Sequence, residues 1–113
     1  MSRDTGEWIV IAETAPGAAT GEQLGPFLRA LLANAASIAP AASFDSDTNA
    51  LTAQFEVFAA SREDAALRGC FAYWGALAAA GAPLPPASTL LVAPRANAGD
   101  ARRFTVRVDL QEQ

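Results

Sequence analysis

Histidine and lysine are both missing from this chain of 113 residues. The first absence removes the commonest general base, the usual zinc and iron ligand, and every Ser-His-Asp or Cys-His arrangement. The second removes Schiff-base chemistry and the lysine of a phosphate-binding loop. Any catalysis would rest on carboxylates, arginine, the single tyrosine, the single cysteine or a bound cofactor, and no residue pattern calls for a cofactor. One cysteine cannot form an internal disulfide, which fits a reducing compartment. No apolar run approaches the ~20 residues of a spanning helix, so no membrane partner is expected. The opening "MSRDTGEW" carries no apolar stretch behind its early Arg and does not read as a secretory signal. A cytoplasmic home is the default expectation. Positive charge is scarce as well: the net charge is -4, with a pI near 4.6. Binding nucleic acid by counterion release needs a basic face, so that class of partner is disfavoured.

What is present is apolar and small. Hydrophobic residues make up 51% of the chain, against general disorder and sufficient for one core. The length gives a single domain over 1–113. All eight basic residues are Arg and about a quarter of the chain is Ala, a bias typical of codons rich in G and C.

"EWIVIAET" (7–14) is a β-branched run closed by "APGAATG", which reads as a strand and a loop. Both of its faces are apolar, Ile9 and Ile11 against Trp8, Val10 and Ala12, as in a central strand covered on both sides. A helix follows, with Leu24, Phe27, Leu28, Leu31, Leu32, Ala35 and Ile38 at three- and four-residue steps. Two starts compete. Thr20 and Gln23 fit a capping box, or Gly25 caps and Pro26 is the first helical residue. "AP" at 39–40 ends this helix.

"ASFDSDT" and "ALTAQFEVFAA" read as two strands joined by a tight turn near Thr48-Asn49. In the second, Leu51, Ala53, Phe55 and Val57 share one face and Thr52, Gln54, Glu56 and Phe58 the other. Ser61 and Asp64 cap a second helix, whose expected apolar stripe is Leu67, Cys70, Phe71, Trp74, Leu77 and Ala78. Gly81 and the prolines at 83, 85 and 86 end it. Strands at 88–93 and 102–110 complete the chain, the last with Phe104, Val106, Val108 and Leu110 inward. The order β-α-β-β-α-β plus an extra C-terminal strand predicts an α+β ferredoxin-like sandwich, two helices on one face of an antiparallel sheet.

"QFEVFAASREDAALRGCFAYWGALAAAG" resembles the strand-cap-helix segment of small uncharacterised bacterial proteins of the ferredoxin-like group. The likeness lies in pattern, covers the second half better than the first, and implies a fold and not an activity. The dimeric α+β barrel proteins, which include cofactor-free monooxygenases, are a related possibility. They often place His in a pocket, and this chain has none to carry over. ACT-like domains, which bind amino acids at dimer interfaces, are a third analogy.

The sharpest motif is "DSDTNALTAQFE" (45–56). Asp45, Asp47, Asn49 and Glu56 stand at positions 1, 3, 5 and 12 of an EF-hand calcium loop. Ala50 replaces the required Gly, no helix enters, and Asp and Asn favour turns anyway. No metal site is expected, although Asp45 and Glu56 would meet if the hairpin folded them together. "GAATGEQLG" (17–25) follows a strand but matches no phosphate-loop pattern. Cys70 lies mid-helix on an apolar stripe without an activating partner, which makes it structural. Tyr73 sits at the stripe's edge with its hydroxyl free to reach water or a ligand. If Ile9 and Ile11 face the helices, Trp8, Val10 and Phe58 fall together on the sheet's far face, an exposed patch of the kind that marks an interface. The expected function is a non-catalytic binding or assembly module, homodimeric through that face. The competing expectation is a small ligand-binding protein or cofactor-free enzyme whose pocket, beneath the second helix, is lined by Tyr73, Trp74 and Glu56 or Glu13.

Overall fold

The computed structural model describes residues 6–107; the expected inward positions Val108 and Leu110 lie outside that range. Five strands and two helices follow in the order β1 (Gly6–Glu13), α1 (Leu24–Ala33), β2 (Ile38–Asp45), β3 (Ala50–Ala59), α2 (Arg62–Ala79), β4 (Ala87–Pro94) and β5 (Arg102–Arg107). The sheet runs β2-β3-β1-β4-β5, with every neighbouring pair antiparallel. Each helix therefore links two strands that have a third between them. Both helices share one core with the sheet: Phe27 of α1 meets Tyr73 of α2 edge to face at 6.1 Å, above Val10, Phe55 and Leu90. This is an α+β architecture of two helices over an antiparallel sheet, compatible with a ferredoxin-like sandwich, with β5 as the extra edge strand.

Local chemistry explains the helix boundaries. Gln23 Oε1 accepts a hydrogen bond from the Thr20 backbone N–H at 2.9 Å. A short 3-10 turn at Gly21–Gln23 then leads into α1, so Pro26 falls in the first turn, where its missing N–H costs least. At the other end α1 stops at Ala33, earlier than the sequence pattern implied. Asn34 turns extended and its Oδ1 accepts from Ala36 N–H at 2.9 Å, an Asx turn that competes with the helix. Ile38, expected on the helix, opens β2 instead. Pro40 is tolerated because β2 is an edge strand with a register shift between Ile38 and Ala41. Ser61 caps α2 as expected, its Oγ accepting from Asp64 N–H at 3.1 Å. Gly81, at φ 74, closes α2 with paired bonds from Ala82 to Leu77 and from Gly81 to Ala78, a Schellman end.

The face of β1 is the reverse of the expected one. Trp8, Val10 and Ala12 stand opposite Val57, Phe55 and Ala53 of β3, and those are the buried β3 positions. Val10 is fully buried against α2, while Ile9 and Ile11 are half-buried on the far face. Both sets are apolar, so alternation alone could not choose between them. The choice is made by fit. A Cβ on Gly69 of α2 would lie 2.7 Å from Val10 Cγ1, so Val10 fills the space that glycine leaves and the helix settles close to the sheet.

The same closeness sets the buried stripe of α2. It consists of Ala65, Ala66, Gly69, Cys70, Ala72, Tyr73, Ala76 and Leu77. Of the expected stripe only Cys70 and Leu77 are buried. Leu67 and Phe71 are exposed, at 46% and 62%, and Trp74 lies on the flank, donating from Nε1 to Ser88 Oγ at 2.8 Å. Small residues let a helix approach a sheet and gain dispersion contacts over its whole length, which outweighs burying two more large side chains on a raised helix.

One arginine ties the N-terminus of α2 to the β4–β5 connection. Arg62 donates to the carbonyls of Val92 and Asp100 at 2.9 and 2.7 Å and to the Asp100 carboxylate at 2.8 Å. Its guanidinium also lies over the Trp8 ring, 5.5 Å from the centroid.

Candidate functional site

The sheet face away from the helices carries the first candidate. Its centre is Ile9 and Ile11 of β1, flanked by Leu91 and Ala93 of β4 and by Gln54 and Glu56 of β3. Phe58 stands further along β3 and is 52% exposed. An antiparallel sheet with one uncovered face normally alternates to polar residues there; here the middle strand does not. The β4–β5 connection folds over one end, where Ala98 and Ala101 join Ile9, Ile11, Leu91 and Ala93 around a hollow of about 200 Å³. Arg95 pins the start of this connection by pairing with Glu56 at 3.2 Å and Glu7 at 3.7 Å.

The patch predicted from sequence is therefore split. Phe58 is on the open face as expected. Val10 is in the core. Trp8 belongs to the helix side, with its Nε1 donating to the Ala59 carbonyl at 3.1 Å and its ring packed on the core. Ile9 and Ile11 take the positions those two were expected to hold.

The calcium-like motif does not assemble either. Asp45 Oδ1 accepts from Asp47 N–H at 2.9 Å, and Asn49, at φ 55, donates its N–H to the Asp45 carbonyl at 2.7 Å. These bonds are those of a tight turn. Asp45 pairs with Ala50 across the hairpin, so Glu56 stands six residues up β3, roughly 20 Å away. No cluster of metal-ligating side chains occurs among the described residues.

The second candidate is a cleft of about 460 Å³ at the end of the sheet. The end of β1 supplies Glu13 and Thr14, the start of β4 supplies Ser88 and Thr89, and Pro83, Leu84, Pro85 and Pro86 form the outer wall. Tyr73 reaches it from α2. The tyrosine is 1% exposed, and no hydrogen bond to its hydroxyl occurs among the described residues. Burial pushes the phenol well above its ordinary pKa, and nearby Cys70 and Glu13 add to the shift, so it remains a neutral hydroxyl that can donate or accept. Of the expected lining, Tyr73, Trp74 and either Glu56 or Glu13, the cleft has Tyr73 and Glu13, and it lies at the end of the sheet and not beneath α2. Trp74 stays one step back, bonded to lining residue Ser88, and Glu56 is on the open face. The prolines were legible only as a helix stop; nothing in their order showed that they form a wall.

Cys70 is fully buried, and desolvation drives its thiol up to about 12. That is the opposite of what a nucleophile needs. No helix among the described residues is long and apolar enough to cross a membrane. No family model, no curated protein and no solved structure matches this chain.

Proposed function

We propose that this chain is a non-catalytic binding and assembly module of the ferredoxin-like group that pairs with a second copy through its open sheet face. The observation that carries this reading is the apolar centre of that face: Ile9 and Ile11 on the middle strand, with Leu91 beside them and Phe58 on the rim. Two such faces brought together would cover these side chains and leave Glu7, Glu13, Arg103 and Arg107 at the periphery, the arrangement of apolar centre and charged rim that stable interfaces favour. The strand order supports the ferredoxin-like assignment, since each helix connection skips one strand. The absence of His and Lys supports a non-catalytic role, and the single buried thiol accords with the cytoplasm.

Light scattering at micromolar concentration tests the pairing. The wild type should have twice the mass of the chain, and Ile11→Arg should have the single-chain mass with unchanged circular dichroism. A wild type of single-chain mass would overturn the proposal. The ligand-binding reading has separate support in the cleft beside Tyr73.

A further inference from the structure

The cleft holds two polar groups without partners among the described residues. The Tyr73 ring is buried, while its hydroxyl opens into the cleft and meets no donor or acceptor among the described residues. Glu13, beside it, makes no ion pair or hydrogen bond there either. Glu13 is also the sole charged side chain among the cleft's lining residues. Arg103 lines an adjoining groove with Glu13, Ile11, Thr89 and Leu91, but does not come within the 4.0 Å of an ion pair. The rest of the cleft is apolar wall and neutral hydroxyl. Its volume falls in the range of small-molecule sites, about 300–1,000 Å³.

We propose that this cleft binds a small organic cation, a primary amine on an apolar body. The ammonium sits at the Glu13 carboxylate with the Tyr73 hydroxyl as second acceptor, and the apolar body lies against Leu84 and the prolines at 83, 85 and 86. A carboxylate at the mouth attracts a cation and repels an anion. The wall gains area from an apolar body, and a hydroxyl with free lone pairs completes the ammonium's hydrogen bonds. The site is formed within one chain, with Glu13 standing also at the rim of the open face.

Amide NMR titrations with phenethylammonium, 2-phenylethanol and 3-phenylpropionate test this directly. These probes have similar shape and differ in charge. The cation should saturate and move the amides of residues 13–18 and 83–89. The neutral probe should bind about tenfold more weakly, as should the cation to Glu13→Gln, because one charge-assisted hydrogen bond is lost. Glu13 is exposed, so Glu13→Gln should keep the wild-type spectrum. Tyr73→Phe should weaken the cation about fivefold without lowering thermal stability, since the hydroxyl it removes has no partner among the described residues. Equal binding of cation and neutral probe, tighter binding of the anion, shifts confined to other regions, or no saturation would each overturn the proposal.

Discussion

Gly69 is the point at which the packing of α2 can be tested most sharply. A methyl added there would meet Val10 at 2.7, 3.0 and 3.2 Å from its Cγ1, Cγ2 and Cβ. The first is closer than real side chains come, and the obstacle is a short branched side chain on the middle strand. Either α2 must lift off the sheet or Val10 must move. Overpacking of this kind costs about 1–3 kcal/mol, while alanine is about 1 kcal/mol better than glycine in a helix. Gly69→Ala should therefore lower stability by about 0–2 kcal/mol. The same helix supplies its own control. A methyl on Gly75 would meet nothing within 4 Å, so Gly75→Ala should raise stability by about 0.5–1 kcal/mol. Urea unfolding of both variants, read from tryptophan fluorescence, gives the comparison. Adding Val10→Ala to Gly69→Ala should cost less than the two single changes together, because the contact would be relieved. If Gly69→Ala and Gly75→Ala stabilise alike, Val10 does not face α2, and the assignment of faces on β1 is wrong.

Two further perturbations follow from named contacts. Arg62→Ala removes bonds to two carbonyls and the contact with Trp8, and should cost about 1–3 kcal/mol in the same urea assay. It should also change the acid limb. The Arg62 hydrogen bond holds the Asp100 carboxyl below its ordinary 3.8, so that stabilisation is present above 3.8 and is lost as pH falls through the lower folded value. Wild-type stability should fall between about pH 5 and pH 2 more steeply than that of Arg62→Ala; equal slopes would refute the link. Asp64, lowered by Arg68, contributes the same sign in both proteins. Cys70 should resist a thiol reagent at pH 8 in the folded protein and react fully in denaturant, and rapid labelling of the native protein would contradict its burial.

The sequence carried the element order because the signals were local. Ser61 and Asp64 cap α2, Gly81 ends it, and β3 alternates between apolar and polar residues over its length. Where two readings were equally apolar, the sequence was silent. Trp8 and Val10 against Ile9 and Ile11 is such a case, and only the fit of Val10 under Gly69 resolves it. The stripe of α2 misled for a related reason. Bulky Leu67 and Phe71 dominate the pattern, but a row of Ala and Gly makes the closer contact. The helix end at Asn34 was hidden because a side-chain turn stopped the helix before Pro40 could. The cleft depended on residues from three separated segments, none of them distinctive alone. Tyr73 could be singled out because it is the single tyrosine of the chain and carries the one aromatic hydroxyl.

The central claim is that Ile9, Ile11 and Phe58 meet a second copy of the chain. The most direct measurement is an isotope-filtered NOE experiment on an equal mixture of labelled and unlabelled protein. The account predicts contacts between chains that join the Ile9, Ile11 and Leu91 methyls and the Phe58 ring to one another. Contacts between chains arising only from Leu67 and Phe71 on the outside of α2, or none at all, would contradict it.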